Sequence, residues 1–144
     1  MTNIETVLEI LKNEVDGDIS AALQKMTVDY SMTWMYQGSK ALFPTTGKNV
    51  EADMKEAYPI KGRKYEIKNI AEGQDVVMVE LIESYPDPST KEMHVTPLVL
   101  VLEMQDHKIK TGRHYCDPRL SFEKIDPSTL EQAYKDTQTK KVIE

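Results

Sequence analysis

A single cysteine, Cys116, stands among the 144 residues of this chain. One thiol cannot close an internal disulfide, so a disulfide-stapled secreted fold is excluded and a reducing cytoplasm is the simpler home. Long apolar runs are missing too. The longest, LVLVL at 98–102, has strand length and falls far short of the ~20 residues that span a bilayer. No basic leader precedes the opening stretch MTNIETVLEI, whose acidic residues do not suit a signal peptide. Basic residues are in deficit, 18 Lys and Arg against 24 Asp and Glu, for a formal net charge of -6. Phosphate binding needs the opposite surplus, which argues against nucleic acid and against an anionic membrane surface as partners. Repeats, low-complexity stretches and Gly/Ser linkers are also lacking, so residues 1–144 read as one domain. What is present, 40% hydrophobic and 29% charged residues, is the mix of a globule able to bury a core.

Two amphipathic helices open the chain. Ile4, Val7, Leu8, Leu11 and Val15 fall on one helical face, with Thr2 and Glu5 at capping-box spacing and Gly17 suited to the end. A second helix starts after Asp18 and carries Ile19, Ala22, Leu23 and Met26. The period then changes to two. Thr27, Asp29, Ser31 and Thr33 alternate with Val28, Tyr30, Met32, Trp34 and Tyr36, as in a half-buried strand. A loop over 37–46 leads to a short helix with Val50, Met54, Ala57 and Tyr58 on one face, stopped by Pro59. Strands follow to about residue 122, with turns at 72–75, 86–89 and 105–108, so close together that they dictate hairpins and an antiparallel sheet. Asp126-Pro127 caps a last short helix, and the polar tail 137–144 is expected to fray. This order predicts an α+β fold: a strongly curved antiparallel sheet wrapped around N-terminal helices as a cone-shaped barrel with a cavity.

The densest chemistry lies in 112–118, GRHYCDP, at the end of the last long strand. Alternation puts Arg113, Tyr115 and Asp117 on one face and His114 and Cys116 on the other. A guanidinium, a phenol and a carboxylate on one face can orient a small polar molecule, and a carboxylate among apolar walls can act as a general base. An ion pair or turn cap at the strand exit accounts for the same residues. Glu83 is the second candidate. It shares a face with Val77, Val79, Leu81 and Tyr85, and if that face is interior, Glu83 and Asp117 line one cavity as acid and base. If that face is exterior, Glu80 points inward instead. Tyr30, Met32, Trp34 and Tyr36 make an aromatic-rich face, a core surface or the wall of a flat apolar ligand's pocket. His94, His107 and His114 lack metal-ligand spacing, and no metal site is expected. Cys116 beside His114 reads as a packed thiol with a surface histidine, and the basic residues of 61–64 as a solvated turn.

The element order and the strand end Arg113-His114-Tyr115-Cys116-Asp117 resemble the nuclear transport factor 2-like superfamily, in its SnoaL-like and limonene-epoxide-hydrolase-like branches. The resemblance runs from the opening helices to about Phe122. The strand end is similar to the Trp-Arg-Asp-Tyr-Phe-Asp of the epoxide hydrolases, whose final aspartate helps activate water, and so implies that role for Asp117. That family's Glu-Arg-x-Asp strand corresponds to Glu80-Leu81-Ile82-Glu83, with Glu83 in the place of the acid and Leu81 in that of the arginine. Its Tyr-x-Asn pair falls near Met32 and Trp34. The resemblance implies cofactor-free acid–base chemistry on a small apolar oxygenated molecule, with Asp117 as base, Glu83 as acid, Arg113 and Tyr115 holding them, and Leu81 in the pocket wall. It also implies a homodimer. The departures at Leu81, Met32 and Trp34 point to a second possibility, a ligand-binding or dimerisation module of the same fold without catalysis.

Overall fold

The computed structural model describes residues 1–35, 43–45, 51–52, 54–55, 60–117, 119–122 and 126–144. Helix α1, Asn3–Asp16, begins at the capping box read from the sequence. Thr2 Oγ1 accepts from Glu5 N at 3.1 Å while Thr2 N donates to the Glu5 carboxylate at 2.8 Å. Gly17 ends it at φ 74, a left-handed conformation that suits a residue without a side chain. Val7, Ile10 and Leu11 are buried, with Ile4, Leu8 and Val15 packed around them. Asp18 caps α2, Ile19–Leu23, which buries Ile19 and Ala22.

Among the described residues, seven strands form one open sheet: β1 Met26–Trp34, β2 Phe43–Thr45, β3 Lys64–Gly73, β4 Val76–Pro86, β5 Met93–Gln105, β6 Lys108–Tyr115 and β7 Lys141–Ile143. Their order is β2-β1-β6-β5-β4-β3-β7. Helix α1 touches β3, β4, β6 and β7, so it lies across the inner face of the sheet. Two short helices, α3 Arg119–Phe122 and α4 Pro127–Ala133, follow β6, and Asp126 caps α4 as its sequence suggests. Residues 51, 52, 54 and 55 are helical and Met54 is buried, but Val50, Ala57 and Tyr58 of that expected helix lie outside the described residues.

The hairpins β3–β4, β4–β5 and β5–β6 are antiparallel, as close turns require. Strand β1 corrects the wholly antiparallel expectation: it pairs with β6 in parallel. These strands are distant in sequence, so no hairpin ties their directions. Among the described residues, three register shifts bend the sheet. Lys68 is the extra residue of β3 between the pairs Ile67–Leu81 and Asn69–Glu80. Lys110 is the extra residue of β6 between Ile109–Met104 and Thr111–Glu103. A third shift, between Met26 and Ser31 on β1, leaves Val28 100% exposed although its parity matches buried Tyr30. Bulges raise local twist and bend the strand, which is how a sheet this long curls into a cone.

The core lies between α1 and the inner residues of the central strands, among them Val77, Val79, Leu81, Leu98, Leu102 and Ile109. The tail does not fray. β7 pairs with β3, and Ile143 is 3% exposed opposite Tyr65. Lys68 donates to Thr139 Oγ1 at 2.8 Å and sits over the Tyr134 ring, holding the polar segment before β7. One apolar anchor outweighs the polar composition. Ile143→Ala is expected to cost about 2–5 kcal/mol, as buried Ile→Ala changes do, read as a lower urea midpoint with an unchanged slope. A loss under about 0.5 kcal/mol would return this segment to the status of a loose tail.

Candidate functional site

The inner face of the sheet opens beside α1 into a cavity of about 230 Å³. β4 sets its axis. Inward alternation along β4 runs Val77, Val79, Leu81, all fully buried, and then Glu83. Glu83 lies between Tyr65 of β3 and Thr96 of β5 in the sheet register. Leu98 and Leu100 of β5 carry the wall across to His114 of β6, and Trp34 of β1 pairs with His114 in turn. Met32 closes that side, since Gly112 leaves room for it: a Cβ there would come within 2.7 Å of the methionine methyl.

Glu83 is held by Arg63, from the residues just before β3. Arg63 Nη1 stands 2.5 Å from Glu83 Oε2, and the two side chains are only 5% and 18% exposed. The guanidinium also lies 4.6 Å over the Tyr85 ring. Burial, with the nearby Glu83 charge, pushes the Tyr85 phenol above its ordinary value. Tyr85 in turn packs on His94, whose Nε2 is 2.9 Å from Asp87. Asp87 accepts from His94, Ser89 and Thr90 and is held well below the usual carboxylate range, fixing the turn beyond β4.

His114 is partly buried, and its loss of solvent drives the imidazole toward the neutral form while the Glu83 charge pulls the other way. At the helix side, Glu14 of α1 reaches the cavity and accepts from Tyr65 Oη at 2.7 Å. Cys116, also facing inward, is pushed up to about 11 by burial, with Glu83 and Asp117 adding to the shift, so it stays a thiol.

Of the residues singled out in the sequence, the structure brings Glu83, Leu81, Met32 and Trp34 to this cavity. Tyr30 is buried in the core, where burial and the Glu14 charge raise its phenol. Tyr36 lies outside the described residues. Arg113 and Tyr115 are on the outer face: Arg113 pairs with Glu103 at 2.9 Å and Tyr115 is exposed. Asp117 leaves the strand end to pair with Arg119 at 2.6 Å and to accept from Arg119 N at 3.0 Å, and these bonds lower its carboxyl. That is the turn-cap arrangement. The cause of the exchanged faces is the bulge. Alternation from buried Ile109 would point 113 and 115 inward, and the extra residue Lys110 turns the even positions in.

Arg63, His114, Glu14 and Tyr65 were not singled out as site residues by the sequence. Arg63 is no solvated turn residue and His114 no surface histidine. The one hint was Glu83 itself: a carboxylate ending an inward apolar series demands a cation, and Arg63 stands two residues before its strand partner Tyr65.

No family model and no curated protein matches the sequence. The backbone is similar to solved structures. An NTF2-like protein of unknown function from Cytophaga hutchinsonii shares 15% identity at a TM-score of 0.66, covering 85% of this chain and 96% of its own. An LEH-like epoxide hydrolase of M. tuberculosis shares 15% at 0.66, over 92% and 96%. The epoxide hydrolase/cyclase-like enzyme SalBIII, which acts in pyran ring formation in the polyether salinomycin, shares 16% at 0.68, over 81% and 92%. At such identities the likeness is one of backbone, and the backbone is unambiguous: this chain has the nuclear transport factor 2-like fold.

Proposed function

We propose that the chain takes a small, largely apolar oxygenated molecule into the Glu83–His114 cavity and moves a proton on it. One observation carries this reading: a partly buried imidazole held toward neutrality and an ion-paired carboxylate line the same hollow. A neutral imidazole accepts a proton at neutral pH, and the Glu83 charge stabilises the imidazolium that results. Arg63 keeps the carboxylate in place, and Tyr85 backs Arg63. The volume, about 230 Å³, is that of roughly eight liquid waters, which limits the ligand to a small molecule. The enzymatic relatives in fold support the same class of chemistry. Asp117, tied to Arg119 at the strand exit, has no part in it, and neither do Arg113 and Tyr115 on the outer face.

A second reading, a binding pocket without catalysis, is favoured by the guanidinium that already neutralises Glu83 and by Leu81 beside it. Incubation in D₂O with a panel of small ketones, enones and epoxides, read by mass spectrometry, separates the two. Deuterium uptake or conversion is expected from the wild type, reduced about 10²-fold or more in His114→Gln. An undiminished rate in that variant ends the role given to His114, and ligands that bind and return unchanged establish the pocket as a receptor.

The electrostatics have their own signature. In an NMR titration His114 is expected to protonate below the ordinary histidine value of 6.5. Glu83→Gln removes the charge that favours the imidazolium, so the midpoint falls further. A midpoint that rises in that variant, or one at or above 6.5 in the wild type, contradicts the proposed coupling.

A further inference from the structure

We propose that Met32, laid across Gly112, is the size filter of this cavity and sets how long an apolar body a ligand can carry beyond the group held at His114. The inference rests on the cavity being a ligand site, as argued above, and names the residues that choose among ligands.

Gly112 is the starting observation. A glycine inside a strand packs nothing and loses more freedom on folding than other residues, so its presence calls for a local reason. Backbone conformation is not that reason, because positive φ is found at Gly17 and Gly62 and not at Gly112. Space is. A Cβ at 112 would stand 2.7 Å from the Met32 methyl, 2.9 Å from its sulfur and 3.2 Å from a Leu102 methyl. The thioether therefore lies in the notch that the glycine leaves, drawn back against β6 while still forming part of the cavity wall.

The sheet register places this notch. The inward residues of β5 run Thr96, Leu98, Leu100 and Leu102. Glu83 pairs with Thr96 and His114 with Leu100, while Gly112 has Leu102 on one side and Met32 on the other. Successive inward rows are roughly 6.5 Å apart. Met32 thus stands one row beyond His114, on the side away from Glu83. A molecule whose polar group sits between Glu83 and His114 points its apolar end at Met32. The methionine is unbranched, so its end can move while the backbone stays. One carbon added at 112 pushes the thioether off β6 toward the hollow, and removing the thioether opens the notch itself.

The test is calorimetric titration of the intact protein at pH 7 with cyclic ketones of rising size: cyclopentanone, cyclohexanone, cyclooctanone and cyclodecanone. Affinity is expected to rise with ring size to an optimum and then fall. Met32→Ala should move the optimum to a larger ring and Gly112→Ala to a smaller one. Each change of ranking should amount to about tenfold, as one methylene too many or too few in an apolar pocket does. The double variant should follow Met32→Ala, since Gly112→Ala acts only through the thioether it displaces. A general loss of packing would weaken all the ketones alike and leave their order unchanged. That result overturns the filter while leaving the cavity a ligand site, and so do two single variants that shift the optimum the same way. Should Gly112→Ala fail to fold, Met32→Ala decides alone: an optimum unchanged from the wild type sinks the proposal. If no ketone binds the wild type or Met32→Ala at about 10 mM, the ligand-site reading fails and this inference falls with it. The deuterium experiment with His114→Gln reads the catalytic proposal separately.

Discussion

The extra residue on β6, Lys110, governs this molecule more than any single contact does. Side chains on a strand alternate, so one inserted residue exchanges the inner and outer sets for everything that follows. Before Lys110, Ile109 is buried; after it, Gly112, His114 and Cys116 look inward and Arg113 and Tyr115 look out. Lys68 does the same on β3, where buried Tyr65 and Ile67 give way to Ile70. Both extra positions are lysines, whose long stems let the ammonium stay near water or a polar partner while the backbone bends. The same insertions supply the curvature, so the shape of the hollow and the choice of residues that line it have one origin.

Within that hollow, the arrangement is a matter of charges kept from water and paired with one another. Arg63 and Glu83 form a pair that would be costly if either stood alone. The pair is locked from behind by a chain of contacts through Tyr85 and His94 to Asp87 in the turn, where four groups hold the carboxylate low. The pair therefore belongs to the frame of the β4–β5 hairpin. Opposite it, His114 has lost solvent without gaining full charge compensation, which is why its proton affinity falls. A rigid pair facing a base held toward neutrality is a workable acid–base geometry.

Much of the architecture was legible in the residues. The capping box at Thr2 and Glu5, the Gly17 stop, the three hairpins and the Asp126 cap are local, and short-range chemistry decides them. Glu83 was legible as a candidate, but both faces of its strand carry apolar residues, so its direction had to come from the tertiary structure. The tail was misread for an instructive reason. Composition predicts fraying at 137–144, yet one isoleucine docked opposite Tyr65 and a lysine bond to Thr139 suffice to order it. The parallel β1–β6 pairing was equally out of reach, since no hairpin links those strands.

By itself the sequence determined the fold class, the opening helices and the run of hairpin strands, since each follows from periodicity and from neighbours a few residues away. Only the tertiary structure decided which faces of β4 and β6 meet the cavity, that Arg63 is the partner of Glu83, and that Asp117 caps a turn. Those depend on where an extra residue is accommodated between paired strands, and on contacts between residues 20 positions apart in the chain, which no local pattern encodes.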